Sequence, residues 1–235
     1  RPLCADTGLP RFYVKLGNEA VLDGGLVALE RALRRATARA TADIPLRPNR
    51  VHPLTRRDMD NNVGAHAPSV SYSVEPQASW IEITAVHKGG LFGSDYRMLF
   101  PTDGLPGIKR FCLAEFFRRG LSCQPAVIGV GLGGTKDDCF RLGKEAACLR
   151  IVGDRHPDPQ VAALERELAE LGNRSGFGPM GYPGDGAVMD VHVEVAYAHT
   201  GGLPVSVHHF CLAARRATAR IAADGRVEHR DDPGW

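Results

Sequence analysis

The chain has 235 residues, a formal net charge of +2 and a hydrophobic fraction of 43%, values typical of a globular protein with a sizeable core. The near-neutral charge argues against nucleic-acid binding. No apolar run approaches the roughly 18 residues of a membrane-spanning helix, so we expect no membrane partner either.

In chain order, the spacing of apolar residues predicts a helix over 24–42, strands over 69–74 and 80–86, a helix over 107–120, a buried strand over 127–132, and helices over 137–149 and 159–171. Strict alternation then predicts a strand over 188–197, with another over 204–210 and a short helix or a final strand over 213–222. Strands and helices mix without a regular βαβ repeat. We therefore predict an α/β protein whose single body is built on a mixed sheet.

The six cysteines are too few for a disulfide-stapled scaffold in a chain of this length, and none belong to a Cys-x-x-Cys pair. This pattern favours a reduced, cytoplasmic protein with free thiols. Cys112, Cys139 and Cys148 fall on predicted helices, where they are expected to be core or surface thiols.

The other three cysteines, Cys4, Cys123 and Cys211, lie beside loops rich in glycine or proline or at a strand end. They are far apart in sequence, so only the fold could bring them together. Their spacing fits buried small side chains as well as a metal site. Three thiolates would leave one iron of a 4Fe–4S cluster with an open position, where it could act as a Lewis acid on a substrate hydroxyl.

The segments around these cysteines resemble those of class I fumarate hydratases and L-tartrate dehydratase α subunits. Cys4-Ala5-Asp6-Thr7-Gly8 resembles the family's Cys-Gln-Asp-Thr-Gly, and Cys123-Gln124-Pro125 resembles its Cys-Pro-Pro. Further resemblances lie at 128–135, Leu46-Arg47-Pro48-Asn49, Asn62-Val63-Gly64, Lys88-Gly89-Gly90, Gly153-Asp154-Arg155-His156-Pro157 and Gly178-Pro179-Met180-Gly181. The resemblance extends from Cys4 to about Arg226.

The resemblance implies a hydro-lyase that hydrates or dehydrates a hydroxy-dicarboxylate such as tartrate, malate or a methylated analogue. It implies an oxygen-labile 4Fe–4S cluster bound by Cys4, Cys123 and Cys211. The implied catalytic residues are Asp6 and His199, and the implied substrate contacts are Ala5, Arg47, Gly90 and Arg215. Arg47 would pair with a substrate carboxylate, which suits the fork geometry of a guanidinium.

Three positions depart from the family's pattern: Ala5 replaces a glutamine, Gln124 replaces a proline, and Leu91 replaces the last glycine of a Lys-Gly-Gly-Gly loop. These changes favour a substrate other than fumarate and malate, or one that carries an extra apolar group. The tartrate-type members carry their second domain on a separate β subunit. We therefore expect residues 1–235 to form one α-subunit domain, without the family's upstream helical segment or second domain. It would assemble with a β subunit as a dimer or heterotetramer.

Other interpretations stay open. The chain could be a catalytically inactive cluster-bearing or binding subunit derived from the same family, or a zinc-binding or plain α/β binding domain. The glycine run over 129–134 lacks the full fingerprint of a dinucleotide-binding loop. Asp190, His192 and Glu194 alternate on one strand, which favours a solvated or interface face over a metal site.

Overall fold

The computed structural model of the chain describes residues 4–44, 46–58, 60–89, 93–118 and 123–235. In chain order the regular elements are β1 (Leu9–Gly17), α1 (Gly25–Asp43), β2 (Ser69–Glu75), β3 (Ile81–Lys88), β4 (Ser94–Leu99), α2 (Gly104–Phe117), β5 (Ala126–Leu132), α3 (Lys136–Leu149), α4 (Pro159–Asn173), β6 (Val188–Val195), β7 (Leu203–Phe210), β8 (Arg216–Ile221) and β9 (Val227–Arg230). They divide into two units, Arg1–Gly90 with Arg215–Pro233 and Leu91–Ala214 with Gly234–Trp235.

The first unit is a five-stranded mixed sheet with one helix packed on it. The strand order is β2-β1-β3-β8-β9, and β1 pairs with β2 in parallel while the other pairs are antiparallel. Alternate residues of β1 and β3 point towards α1, where Val14, Ile81 and Leu33 form the buried core. The chain leaves this sheet after β3 and returns to it with β8.

The second unit is a four-stranded mixed sheet in the order β4-β7-β5-β6, in which only β5 and β6 are parallel. Its core joins apolar side chains of β5, β6 and β7 with those of α2 and α4, including Ile128, Val193, Val207, Phe116 and Leu168. The Asp158 side chain accepts the Gln160 N–H at 2.8 Å, and this cap together with Pro159 starts α4.

Glycines on β5 allow α3 to approach the sheet closely. A Cβ added to Gly129 would lie 2.0 Å from the Gly143 carbonyl oxygen and 2.3 Å from the Ala147 nitrogen, both in the backbone of α3. Gly131 is equally crowded, with the Cys139 carbonyl oxygen at 2.0 Å. The glycine run therefore serves the packing of a helix on a strand, which explains why it lacks the remaining features of a dinucleotide loop.

We expect Gly129→Ala to lower the free energy of unfolding by about 3 kcal/mol, because α3 must move away from β5 to admit the methyl group. Chemical denaturation followed by circular dichroism measures the change. Gly176→Asn is the control, since Gly176 has a φ of +81° that asparagine tolerates and open space around it. Equal stabilities for the two variants would contradict this account of the packing.

A buried ionic network fixes the segment between α3 and α4. Glu165, which is 0% exposed, accepts hydrogen bonds from the Arg150 guanidinium at 2.6 Å and from the backbone of Val193 and His156. Asp190 accepts bonds from Gly153 N–H at 2.7 Å and from the Arg155 guanidinium at 2.9 Å. These bonds tie the loop to β6 and α4.

The strand face that carries Asp190 and His192 is not solvated. Asp190 is 3% exposed and His192 is 0% exposed, with the His192 Nε2 atom 3.4 Å from the Asp190 carboxylate. Burial alone would raise the pKa of Asp190, but the adjacent His192 imidazole and the hydrogen bonds from Arg155 and Gly153 hold it well below its usual range. The predicted solvated or interface face is wrong for these two residues, because the charged partners come from a loop distant in sequence.

The predicted α/β class with mixed sheets is confirmed, although the strands form two mixed sheets where the sequence suggested one. The ambiguous segment over 213–222 contains a strand, β8. The predicted helix over 107–120 is α2, which the structure begins at Gly104 and ends at Phe117. None of the helices in the described ranges combines the length and apolar character that crossing a membrane requires.

Candidate active site

The loop from Cys4 to Gly8 precedes β1 and presents a carboxylate beside a thiol. The Asp6 Oδ1 atom accepts the Gly8 N–H at 3.0 Å, and the Asp6 N–H points to the Cys4 Sγ at 3.4 Å. Gly8 has a φ of +77°, and a Cβ there would lie 2.9 Å from the Lys88 carbonyl group at the end of β3. This close approach holds the loop against the sheet.

Two predicted cationic residues lie close to Asp6. Arg215 donates from Nη1 to the Asp6 backbone carbonyl oxygen. Arg47 is exposed and donates from Nε to the Asn49 Oδ1 at 2.9 Å, and the Asn49 amide nitrogen donates in turn to the Asp6 carboxylate. The first unit thus brings together five of the predicted site residues: Cys4, the exposed Ala5, Asp6, Arg47 and Arg215. The predicted substrate contact Gly90 lies outside the described residues.

His87 is a neighbour of this cluster that the sequence did not single out. Its Nδ1 atom lies 3.0 Å from the Thr7 carbonyl oxygen, and its backbone N–H donates to the Arg215 carbonyl oxygen at 2.9 Å. Burial lowers the pKa of His87, the Thr7 carbonyl opposes this shift, and the charge of Arg215 adds to it. The imidazole is therefore neutral near pH 7, and the positive charge beside Asp6 comes from the arginines. Its place directly before Lys88-Gly89 was the only sequence signal available.

The second unit brings Cys123 and Cys211 together by the pairing of two strands. Cys123 precedes β5 and Cys211 follows β7, and these strands are antiparallel with Val127 opposite Phe210. The Leu212 N–H donates to the Cys123 carbonyl oxygen at 3.1 Å, so the two loops are in contact. Cys123 has a φ of +67°, and Cys211 is 7% exposed. Neither is in a disulfide, and the same holds for Cys4.

His199 lies away from these cysteines within the second unit. It is exposed in the turn between β6 and β7, where its Nδ1 accepts the Gly201 N–H at 3.0 Å. Because β7 runs from Leu203 to Phe210, His199 and Cys211 flank opposite ends of a strand that is roughly 25 Å long. The second unit therefore does not place His199 beside Cys123 and Cys211.

The remaining cysteines are poor candidates for iron ligands. Cys112, Cys139 and Cys148 are buried in helices, as predicted for core thiols. Burial raises the pKa of Cys139 to about 11 and raises that of Cys112 further, so both stay protonated near pH 7.

The candidate thiol donors are compatible with a cluster. Within the residues that the structure describes, no set of three or more Cys, His, Asp or Glu side chains is arranged to hold a metal ion. None of the three candidate cysteines is in a disulfide, and all lie outside regular elements, Cys4 in the first unit and the other two in the second. Their chemistry fits an iron–sulfur cluster better than a carboxylate-bound ion.

Comparison with known proteins gives a consistent set of relatives. Residues 1–220 match the family described as fumarate hydratase (fumerase). The putative L(+)-tartrate dehydratase subunit alpha of Methanocaldococcus jannaschii is 40% identical over 232 residues, covering 96% of this chain and 80% of that protein. The L(+)-tartrate dehydratase subunit alpha of Escherichia coli K12 is 34% identical, covering 97% of this chain and 75% of that protein.

Proposed function

We infer the function from one premise: the chain belongs to the fumarate hydratase family and is a hydro-lyase, an enzyme that adds or removes water. We propose that it is an α-type subunit acting on a hydroxy-dicarboxylate. L(+)-tartrate is the first candidate, because relatives that carry this substrate in their names are 34% and 40% identical to the chain. The observation that carries the proposal is the Asp6 carboxylate with Arg47 and Arg215 beside it.

Arg47 is the proposed anchor for one substrate carboxylate. Its Nε is used by Asn49, which leaves Nη1 and Nη2 as the donors for a ligand. Because Arg47 is exposed, a carboxylate can reach this fork without a rearrangement of the sheet. Arg215 adds a second positive charge at the backbone carbonyl of Asp6 and is half-buried, so its charge is less screened by solvent. Ala5 and Gly90 remain proposed substrate contacts.

Asp6 is the proposed group for proton transfer or for handling the departing hydroxyl. Its Oδ1 accepts the bonds from Gly8 and Asn49, so the side chain is held in one orientation. We assign the exchange of a proton with substrate to Oδ2. A carboxylate fixed in this way needs no reorganisation when the substrate binds.

Cys4, Cys123 and Cys211 are the proposed ligands of a 4Fe–4S cluster, since each lies outside the helices and strands and outside any disulfide, and the family is generally iron–sulfur dependent. When bound, a cluster with three thiolate ligands supplies an iron with an open position that acts as a Lewis acid on a hydroxyl group. Such an iron is exposed to oxidants, so we propose that the cluster is labile to oxygen.

A partner chain is part of the proposal. The relatives are named as alpha subunits, so we propose that a β subunit completes the site in a dimer or heterotetramer. The second unit does not support the catalytic role proposed for His199, because this residue and Cys211 flank opposite ends of β7. Free thiols fit a reducing compartment, and we propose the cytoplasm.

The test is dehydration of L(+)-tartrate by the chain purified anaerobically with its partner subunit. We expect turnover by the wild-type complex and a fall in kcat of about 10²–10⁴-fold for Asp6→Asn, because the amide keeps the shape of the side chain but cannot take a proton. The matched control is Asp58→Asn, since Asp58 is exposed and its side chain accepts the local N–H of Asp60 at 2.8 Å.

Asp58→Asn is expected to keep full activity. If Asp6→Asn also keeps full activity, the role of Asp6 is refuted. If the wild-type complex converts none of tartrate, malate and their methylated analogues, the result would favour an inactive cluster-bearing subunit instead.

A further inference from the structure

Two asparagines of the family-like segments have no role in the function proposed so far. Asn49 ends the segment Leu46-Arg47-Pro48-Asn49, and Asn62 begins the segment Asn62-Val63-Gly64. The structure connects the two segments. Asn62 is 0% exposed although its side chain is polar, and its backbone has a φ of +60°. A fully buried amide in this conformation requires specific hydrogen bonds.

The bonds of Asn62 hold the backbone of the Arg47–Asn49 segment. Its Oδ1 accepts the backbone N–H of Asn49 at 2.8 Å, and its Nδ2 donates to the Arg47 carbonyl oxygen at 3.4 Å. The same Nδ2 lies 3.2 Å from the Oγ1 of Thr41 in the last turn of α1. One buried amide therefore attaches the segment to a helix that packs on the sheet, and the backbone at residue 49 is fixed before any ligand binds.

On this fixed backbone, the Asn49 side chain lies between two groups of opposite charge. Its Oδ1 accepts from Arg47 Nε at 2.9 Å, and its Nδ2 donates to Asp6 Oδ1. An amide suits this place because its oxygen faces the cation and its nitrogen faces the anion. Both contacts are charge-assisted, which makes them stronger than bonds between neutral groups.

We infer that Asn49 is a positioning residue that keeps the Arg47 guanidinium and the Asp6 carboxylate apart and correctly oriented for the substrate. A direct ion pair between them would use the donors that a substrate carboxylate needs and would occupy the carboxylate that exchanges a proton. With alanine at residue 49, nothing separates the two charges. This inference rests on the proposed function, because Arg47 and Asp6 are the proposed substrate-binding and proton-transfer groups.

The first readout needs neither substrate nor cluster. In the NMR spectrum of the ¹⁵N-labelled full chain, the Arg47 Nε–H signal should exchange slowly with water because Asn49 accepts its proton. We expect Asn49→Ala to shift this signal and to change its exchange rate, because the proton loses Asn49 as its acceptor and Arg47 can then pair with Asp6. Asn173→Ala is the matched control, since the Asn173 side chain also makes two hydrogen bonds, both to the backbone of Val188 in the second unit.

The second readout is the kinetics of the complex with L(+)-tartrate. We expect Asn49→Ala to lower kcat/KM about 10²-fold, with a higher KM from the loss of the Arg47 anchor and a lower kcat from the displacement of Asp6. Asn49→Gln should recover part of the activity, because it restores the amide one methylene further out. Asn173→Ala should lower the melting temperature and leave both constants unchanged.

The outcomes separate the inference from the proposed function. An unchanged Arg47 signal in Asn49→Ala overturns the inference whether or not the complex turns over tartrate. Wild-type turnover with Asn49→Ala kinetics equal to those of Asn173→Ala also overturns it. Absence of wild-type turnover counts against the proposed function alone, and the Arg47 signal then decides whether Asn49 positions the two groups.

Discussion

Cys211→Ala is expected to remove nearly all of the iron that the anaerobically reconstituted chain holds, whereas Cys139→Ala is expected to leave the iron content unchanged. Both substitutions delete a buried sulfur from the second unit, so they cost similar packing. They differ in position. Cys211 follows β7 beside the loop of Cys123, while the Cys139 thiol lies inside α3 and donates to the Gly131 carbonyl oxygen at 3.2 Å.

The measurement is the content of iron and acid-labile sulfide per chain, together with the visible absorbance of thiolate-bound iron. Circular dichroism establishes that both variants are folded. Retention of a full complement of iron by Cys211→Ala would remove this residue from the ligand set. Loss of iron from Cys139→Ala would show that the readout follows stability rather than ligation.

Glu165→Ala is expected to lower the free energy of unfolding by about 3 kcal/mol. The substitution leaves the Arg150 guanidinium, whose side chain is 4% exposed, without its closest anion, and it removes the acceptor of the His156 and Val193 N–H groups. Removing one partner of a buried pair costs more than the pair contributes, because the other charge stays buried. Asp154, which lies 3.1 Å from the Arg150 Nε, offsets part of the loss.

Glu170→Ala on the same helix is the control. Glu170 pairs with Arg174 at 3.4 Å, and both side chains are mostly exposed. Such a pair is worth no more than about 0.5 kcal/mol, so urea denaturation should barely distinguish this variant from the wild type. If both substitutions cost the same, the buried network does not contribute to stability in the way its geometry indicates.

The sequence predicted those elements whose apolar periodicity is strong and missed those whose stability comes from a neighbour. β6 was predicted, because apolar residues occupy alternate positions along it and so mark its buried face. β1 was not, because Pro10, Arg11 and Lys15 interrupt its apolar residues. β4 is an edge strand that pairs with β7, and polar and apolar residues alternate over only four of its residues, Asp-Tyr-Arg-Met.

The site was predictable only in part, and for a similar reason. Family-like segments pointed to Asp6 and Arg47, but no spacing rule could place an asparagine between them, since that contact depends on the closure of the loop after α1. His199 is the opposite case, a residue that the family resemblance placed in the site and that the second unit does not bring near Cys211. The two residues flank opposite ends of β7, which only the observed strand reveals.

The return of β8 to the first sheet determines when this sheet can be completed during synthesis of the chain. β3 pairs with β1 on one side and with β8 on the other, and residues 91–214 of the second unit lie between β3 and β8 in the sequence. During translation the outer edge of β3 therefore stays unpaired until the ribosome has completed these residues and β8. An unpaired edge can bind other nascent strands, so the second unit must fold early if the first is to avoid aggregation.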